Sequence, residues 1–429
     1  MARVEKTVFI SYRRTNISWA LAIFQHLSSR GFDVFIDFEG IRSGDFEAAI
    51  LENIRSRAHF LVILTPSALD ECDEPGDWLR REVEEAMRCQ RNIVPLFVDA
   101  FDIGAPSLAA KLQGDLANLK HYNGVRVFGE YFAAAMAKLE KFLDVALDAV
   151  RHPTSVAARR IAELQRAIAA TAPRVEQTEL SAQERFERAY IATDASEKLR
   201  LYGEAIHLKP DYAEAYNNRS IARFRIGDLD GAMEDLKFAI RLNPRYAAAY
   251  HNRGNIHLVK GNPQAALHDL DQAIQCRSNY AEAYYDRGNT NLVLRDFKNA
   301  LRDLTEAIRL KPKEAEFYFS RGTVHYRAGD LESALQDLTE AIRLKPDFAL
   351  AYDKRGVVRG TKGDLNGALQ DADEAIRIDP NFVEALYNRS NTRRKLGDVE
   401  GANRDDADAA RLESMQRQVT GRQQRMTRV

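Results

Sequence analysis

The sequence predicts a multidomain protein: an α/β domain built on a parallel sheet, followed by an all-α solenoid of helical repeats. Two observations lead to this prediction. Strand and helix signals alternate over residues 1–145, which is typical of a doubly wound parallel sheet with flanking helices and right-handed crossovers. Farther along the chain the same residue types recur with a step of 34 residues, which is typical of stacked helix–turn–helix units.

Short apolar runs in the first part are predicted to be strands, and amphipathic segments between them are predicted to be helices. The strand runs are TVFISY, FDVFID, HFLVILT and NIVPLFV, and the helical segments are WALAIFQHLSSRG, FEAAILENIRSR and DWLRREVEEAMRC. HFLVILT is almost wholly apolar, as expected of a strand buried on both faces. Ligands of such sheets bind beyond the carboxyl ends of the strands, which directs attention to the loops at 11–16, 37–46, 65–78 and 98–104.

The repeats are defined by columns of identical residues. Arginine recurs at Arg219, Arg253, Arg287, Arg321, Arg355 and Arg389. Aspartate recurs 16 residues later, at Asp235, Asp269, Asp303, Asp337, Asp371 and Asp405. A Gly-Asp or Gly-Asn turn separates the two helices of most units, and glycine ends a helix well because it adopts the left-handed conformation. One unit has Arg295-Asp296 instead. We expect each arginine to pair with an aspartate within or next to its own repeat.

These patterns divide the chain into four segments. They are the α/β domain at 1–145, a helical connector at 146–178, a solenoid of about seven units at 179–416 and a basic tail at 417–429. The first unit, 179–212, is degenerate, because Thr193 stands where other units have the turn glycine.

The composition of the chain argues against several classes of protein: those that bind nucleic acid or acidic membranes by net charge, membrane proteins, secreted proteins and metalloproteins. The 62 Lys and Arg nearly balance the 63 Asp and Glu, so a global electrostatic grip on nucleic acid or on an acidic membrane is not expected. No apolar run is long enough to span a bilayer, and no signal peptide is evident. The three cysteines form no disulfide framework or paired zinc ligands, which favours a reducing cytoplasm and no metal site.

Five segments of the first part form an ordered set. They are VFISYRR at 8–14, GFDVFIDFEGIRSGDFEAAI at 31–50, HFLVILTPSAL at 59–69, DWLRREVEEAM at 77–87 and NIVPLF at 92–97. Because similar segments occur in this order in Toll/interleukin-1 receptor (TIR) domains, residues 6–144 resemble a TIR domain, which implies a flavodoxin-like fold. The similarity is to the catalytic branch, which includes the animal axon-degeneration NADases and bacterial immune TIR proteins. The 34-residue units resemble tetratricopeptide repeats (TPRs).

The TIR resemblance implies an NAD⁺ glycohydrolase or cyclase whose catalytic glutamate is Glu82, four residues after Trp78. One carboxylate suffices for this chemistry. Nicotinamide leaves as a neutral molecule, so it needs no general acid, and the barrier lies in an oxocarbenium-like ribose that a fixed carboxylate stabilises. NAD⁺ is then the substrate, and no other cofactor or metal is expected. Without the resemblance, Glu82 reads as an ordinary helix-surface glutamate.

The same resemblance implies further residues that contact the substrate. These are Tyr12, Arg13, Arg14, Phe46, Trp78 and Asn123. An aromatic face suits the nicotinamide or ribose, and guanidinium groups suit the diphosphate. Plainer interpretations stay open: the tryptophan and the phenylalanine as core residues, the two arginines as solvated turn charges, and the asparagine as a turn residue before Gly124.

Stacked TPR units form a concave groove, and the family pattern indicates which residues line it. They are Asn217, His251, Asn255, Tyr285, Asn289, Phe319, Tyr387 and Asn391. We expect an extended peptide or protein ligand there. The lysine of chaperone-tail clamps is missing from the first of these positions, which disfavours that ligand.

Two functions follow from these patterns. The first is a cytoplasmic NAD⁺ hydrolase in bacterial immunity or cell-death signalling, activated by TIR self-association or by the repeats. The second is a non-enzymatic adaptor that docks other TIR domains. The presence of both Glu82 and Trp78 favours the enzyme.

Overall fold

The computed structural model describes residues 3–37, 44–70, 72, 76–98, 101–105, 108, 111–147, 150 and 154–426. The chain divides into two compact units, Met1–Asn243 and Pro244–Val429.

A five-stranded parallel sheet forms the centre of the first unit. The strands described are β1 Arg3–Val4, β2 Thr7–Ser11, β3 Asp33–Ile36, β4 His59–Leu64, β5 Asn92–Val98, β6 Val125–Val127 and β7 Ala146–Leu147. The sheet has the order β3-β2-β4-β5-β6, with every neighbouring pair parallel, and β1 pairs antiparallel with β7 outside it. This is the flavodoxin-like order, with its topological switch point between β2 and β4. Strand β6 was not among the predicted strands, because VRV is too short to show a pattern.

Helices cover both faces of the sheet. The α-helices described in the first unit, of which only some contact the sheet, are α1 Ile17–Ser29, α2 Gly44–Arg55, α3 Trp78–Arg88, α4 Phe132–Leu143, α5 Val156–Thr171, α6 Gln177–Ile191, α7 Ala195–Leu208, α8 Ala213–Arg225 and α9 Leu229–Leu242. Helices α1 and α4 pack on one face, where Trp19 and Met136 join Ile10. Helices α2 and α3 pack on the other, where Ile50 and Val83 join Phe9, Phe60 and other ring and aliphatic side chains. Successive strand residues point to opposite faces, so one apolar strand serves both cores.

Residues 156–171 of the predicted connector form α5, and this helix is attached to the sheet domain. The Ser155 hydroxyl accepts a hydrogen bond from the Ala158 amide at 3.1 Å, which caps the helix. Asn53 of α2 donates to the Ala158 carbonyl at 3.2 Å, and Arg166 pairs with Asp33 at the start of β3. The connector is therefore a packed helix and not a flexible tether.

The second unit is a run of helical hairpins. Its helices are α10 Ala247–Val259, α11 Pro263–Cys276, α12 Ala281–Val293, α13 Phe297–Leu310, α14 Ala315–Ala328, α15 Leu331–Leu344, α16 Ala349–Lys362, α17 Leu365–Ile378, α18 Val383–Leu396 and α19 Val399–Met426. The turn glycines of the repeats all have positive φ, from 75° to 92°. Helix α19 extends through most of the segment predicted to be a tail, from 417 to 426.

The arginine and aspartate columns pair within each repeat, as predicted. In all six repeats the arginine Nε and Nη2 atoms donate to the two carboxylate oxygens of the aspartate sixteen residues later, at 2.6–3.0 Å. The aspartates are only 1–6% exposed. Each pair thus joins the first helix of a repeat to the second through a bidentate, charge-assisted contact.

Arg295 occupies the turn position that is glycine in the neighbouring repeats, with φ of 62°. A side chain in this left-handed region costs about 1–2 kcal/mol. We expect Arg295→Gly to raise the free energy of unfolding by about 1 kcal/mol, because part of that gain is offset by the greater backbone entropy of glycine in the unfolded chain. Thermal unfolding of the full chain measures it, and an unchanged or lower Tm would contradict the expectation.

Candidate active site

The residue directly before helix α3 is an aspartate that also binds the neighbouring loops. Asp77 is buried, and its Oδ1 accepts the Arg80 amide at 2.9 Å, which caps the helix. The guanidinium of Arg13, from the loop after β2, forms an ion pair with Oδ2. The Cys72 thiol donates to Oδ1 at 3.4 Å. The start of α3 is therefore fixed to the loops that follow β2 and β4.

Glu82 lies one turn into α3 and is buried against the carboxyl end of β2. Its Oε2 accepts a hydrogen bond from the Ser11 hydroxyl at 2.6 Å, and the residue is 8% exposed. Burial raises the pKa of Glu82 to about 8; the Ser11 hydrogen bond opposes this rise, whereas Asp37 and Asp77 add to it. A buried carboxyl group with a displaced pKa at the carboxyl edge of a parallel sheet is a candidate for catalysis.

Tyr12 and Arg14 both meet Asp37, which follows β3. The Tyr12 hydroxyl donates to the Asp37 carbonyl at 2.6 Å, and burial raises the pKa of Tyr12, so the phenol stays neutral. Arg14 Nη2 lies 3.7 Å from Asp37 Oδ2, and the Arg14 side chain is 48% exposed. The arginine therefore presents a positive charge at the surface beside this network.

Arg13 differs from Arg14, because its guanidinium is bound by other groups of the same domain. Nε donates to the Ala68 carbonyl at 2.9 Å, Nη2 donates to the Asp70 carbonyl, and the side chain is 20% exposed. The interpretation of Arg13 as a solvated turn charge is therefore wrong. Its predicted contact with a diphosphate would require the guanidinium to leave Asp77.

The remaining predicted substrate residues lie at three separate places. Trp78 is half-buried in the first turn of α3, and the Arg81 guanidinium lies 4.2 Å from the centre of its ring. Phe46 lies in the first turn of α2, and its side chain is outside the described part of the structure. Asn123 is exposed in the turn before β6. A Cβ atom on the next residue, Gly124, would lie 2.4 Å from the Phe97 ring, so glycine is required there.

Three residues of the site were not among the predicted ones: Ser11, Asp37 and Asp77. Each carried a weak signal. Ser11 and Asp37 stand where the first two predicted strands end, and an aspartate directly before a helix is a typical N-cap. What the sequence does not show is that these ends converge on Glu82.

A surface cleft of about 650 Å³ lies on a different side of α3 from this network. It is lined by Leu51, Arg81, Glu84, Glu85, Met87, Arg88, Asp115, Asn118 and Tyr122. Glu82 is not among these residues. We therefore place the candidate site at the Glu82 network, on the basis of its chemistry and not of cavity size.

The described residues contain no group of three or more His, Cys, Asp or Glu side chains arranged to hold a metal ion. Burial raises the pKa of the Cys72 thiol to about 12, which makes it a poor nucleophile. In the same part of the chain no helix is both long enough and apolar enough to cross a bilayer.

The predicted groove residues are mostly engaged with neighbouring helices. In the first unit, Asn217 is buried. In the second, His251 Nε2 lies 2.6 Å from Asp286 Oδ2, and Asn255 lies 3.5 Å from the same histidine nitrogen. The Tyr285 ring stacks on Phe317, the Phe319 ring packs at a tilt against Phe348, and Tyr387 packs in an apolar cluster. Asn289 is half-buried and Asn391 exposed.

The fold and the site define a class: a flavodoxin-like domain with a buried carboxyl group at its switch-point edge, followed by helical repeats. Residues 8–139 match the family model described as TIR domain, and residues 200–396 match the model described as ETO1 C-terminal domain. The chain thus contains a TIR domain followed by TPR-like helical repeats.

Curated relatives cover the two parts separately. NAD(+) hydrolase sarm1 of Drosophila melanogaster is 39% identical over 140 residues, 32% of this chain and 10% of its own. NAD(+) hydrolase tir-1 of Caenorhabditis elegans is 38% identical over 140 residues, 32% of this chain and 14% of its own. Tetratricopeptide repeat protein 36 of Mus musculus is 52% identical over 52 residues, 12% of this chain and 28% of its own. The match therefore spans less than a third of each relative's length.

Among solved structures, the crystal structure of YrrB, a TPR protein with an unusual peptide-binding site, is 26% identical. It superposes with a TM-score of 0.38, over 43% of this chain and 95% of that one.

Proposed function

We propose that this protein is an NAD⁺ glycohydrolase that cleaves the bond between nicotinamide and ribose with Glu82 as its catalytic carboxylate. The observation that carries the proposal is the buried Glu82, held by Ser11 at the carboxyl edge of the sheet. It stands in a TIR domain whose relatives are named NAD(+) hydrolases.

The proposed reaction needs one carboxylate and water. The bond between ribose C1′ and the pyridinium nitrogen breaks, and its electron pair neutralises the ring, so nicotinamide leaves uncharged. Water then forms a bond to C1′ and loses a proton, which gives ADP-ribose. The ionised Glu82 stabilises the positive charge that develops on the ribose and accepts the proton from water. A ribose hydroxyl attacking in place of water would give a cyclic product.

The surrounding residues have complementary proposed roles. Arg14 is exposed and beside the network, so it offers a cation for the diphosphate. Trp78 and Phe46, in the first turns of α3 and α2, are the aromatic residues proposed to contact the nicotinamide or ribose. Tyr12 and Arg13 hold the loops around Glu82.

This proposal predicts that activity rises with pH. The ionised carboxylate is the active form, and the pKa of Glu82 in the free protein is raised to about 8. We expect kcat/KM to increase about tenfold per pH unit below that value and to level off above it. Initial rates at NAD⁺ concentrations far below KM, between pH 5.5 and 9, measure the profile, and a flat profile between pH 6 and 8 would contradict it.

Ser11→Ala is the matched variant for this profile. The Ser11 hydroxyl donates to the carboxylate and lowers the pKa of Glu82 relative to burial alone. Its removal is expected to move the rising limb to higher pH, with a smaller change in the plateau.

The proposal extends to regulation. TIR self-association through the segment between β3 and α2, or a protein or peptide ligand held by the repeats, would switch on activity in bacterial immunity or cell-death signalling in the cytoplasm. A monomer would then be nearly inactive.

The decisive experiment incubates the full chain with NAD⁺, dilute and then concentrated with a crowding agent, and separates the products by chromatography. We expect nicotinamide release together with ADP-ribose or its cyclic isomer, and more of it in the concentrated sample. A chain that consumes no NAD⁺ under any assembly condition would exclude the enzyme and leave the adaptor.

A further inference from the structure

We infer that the first repeat helix completes the catalytic unit: Gln183 and Glu187 of α6 are positioning residues that hold the loops after β2 and β4 against the start of α3. The catalytic part of this inference rests on the proposed function. The effect of α6 on the position of α3 is measured by hydrogen exchange, independently of turnover.

Gln183 joins α6 to the loop after β2. It is 2% exposed, and its Nε2 donates to the Thr15 carbonyl and to Asn16 Oδ1, the latter at 2.8 Å. Asn16 in turn donates to Thr65 Oγ1 at 2.9 Å. One side chain of α6 therefore holds the loop after β2 at the point where that loop is joined to the end of β4.

Glu187, one turn farther along α6, holds the loop after β4. It is 2% exposed, and its two carboxylate oxygens accept the Ser67 hydroxyl at 2.6 Å and the Ser67 amide at 3.1 Å. Three residues farther along, the Tyr190 hydroxyl donates to the Asp70 carboxylate, which also binds Lys111 Nζ at 2.6 Å. Residues 67–70 are thus attached to α6 at both ends.

The same loop is attached to α3 through Arg13. The guanidinium binds the Ala68 and Asp70 carbonyls and pairs with Asp77, the cap of α3. The contacts therefore form a continuous chain from Glu187 through residues 67–70 and Arg13 to the helix that carries Glu82. Displacement of α6 would loosen the cap and shift the catalytic carboxylate.

The chemistry of Glu187 supports a role beyond packing. Its described hydrogen-bond partners are uncharged, and burial raises its pKa to about 7. A buried carboxylate without a cation is costly, and a side chain chosen only to fill space would avoid that cost. What the carboxylate provides is two acceptors that grip both the side chain and the backbone of Ser67.

The test compares Glu187→Ala with Glu184→Ala in the full chain. Glu184 is a matched control, because it lies on the same helix, is buried, and accepts the Gly129 amide at 2.5 Å in the loop after β6. Both variants remove a buried carboxylate that binds the sheet domain. The described hydrogen bond of Glu184 leads to Gly129, whereas those of Glu187 lead to Ser67, in the loop that continues to Arg13 and Asp77.

We expect Glu187→Ala to increase amide hydrogen exchange in residues 65–70 and in the first turns of α3, and to lower kcat by about ten- to a hundredfold with a smaller change in KM. Glu184→Ala should increase exchange around Gly129 and leave both the α3 segment and kcat near those of the wild type. Glu187→Gln, which keeps one acceptor for Ser67, should recover most of the activity and protection.

Two outcomes would overturn the inference. One is equal exchange at the start of α3 in Glu187→Ala and Glu184→Ala. The other is that kcat falls in proportion to the decrease in Tm, and by the same relation in both variants, which would make the loss of activity a general effect of destabilisation. If the wild type cleaves no NAD⁺, the proposed function fails, whereas the exchange measurement still decides whether α6 controls the position of α3.

Discussion

Glu82→Gln is expected to lower kcat for NAD⁺ cleavage by about 10²–10³-fold, with little change in Tm. Glutamine keeps the size of the side chain and can still accept the Ser11 hydrogen bond, but it has no negative charge to stabilise the ribose cation. Losing one preorganised electrostatic contact to a developing charge typically costs this factor. Because a buried group whose pKa is raised to about 8 is replaced by a neutral one, the fold itself should not be weakened.

Glu84→Gln is the control for this prediction. Glu84 lies on the same helix, pairs with Arg80 at 2.7 Å and is 35% exposed, so its loss should leave kcat within about twofold. Glu82→Ala, which also removes the hydrogen-bond acceptor, should be at least as inactive as Glu82→Gln. Nicotinamide release under identical assembly conditions measures all three variants. A Glu82→Gln protein as active as the wild type would show that the site is assigned to the wrong residue.

Asp303→Ala is expected to lower the free energy of unfolding of the repeats by about 3 kcal/mol or more. Asp303 is 1% exposed and receives two hydrogen bonds from Arg287, at 2.7 and 2.8 Å, with longer ones from Asn291 at 3.3 Å and from Arg302 at 3.5 Å. Its removal leaves the Arg287 guanidinium, 15% exposed, without its main partner. Breaking one side of a buried ion pair costs about 3–5 kcal/mol, mostly because the other charge stays buried.

Asp271 provides the comparison, since it binds the same arginine from the preceding repeat. Its Oδ1 lies 2.6 Å from Arg287 Nη1, but the aspartate side chain is 51% exposed. Asp271→Ala should therefore cost less than about 1 kcal/mol. Urea unfolding of the two variants, followed by helical circular dichroism, separates the effects. Equal destabilisation would mean that burial does not determine the strength of these pairs.

Much of the fold was predictable because its signals are local and periodic. The turn glycines mark the helix ends, and the spacing of the arginine and aspartate columns places one member of each pair on each helix of a repeat. Continuous apolar runs likewise mark β2 and β4, which are buried on both faces. Strand β6 was missed because its three residues depend on their pairing with β5, which the local sequence does not encode.

The site was less predictable. Glu82 could be selected among the glutamates of α3 only through the TIR resemblance, since Glu82, Glu84 and Glu85 lie within four residues of one another. Its burial and its bond to Ser11, 71 residues away, arise from the sheet topology. The attachment of α6 to the loops after β2 and β4 joins residues about 120 to 168 apart in sequence, and no pattern of spacing reveals it.

Because both members of each arginine–aspartate pair lie in the same repeat, the pairs affect how such a chain can change in length. Each of the six repeats after the degenerate first one carries both members of its own buried pair, sixteen residues apart, so removing or duplicating one of these 34-residue repeats leaves neither charge without its partner. Unequal recombination within the gene could then alter copy number without creating an unpaired buried ion. Such an array can change in repeat number without loss of its buried ion pairs. The first repeat differs, because Gln183 and Glu187 bind it to the sheet domain, so a copy of another repeat could not replace it without loss of those contacts.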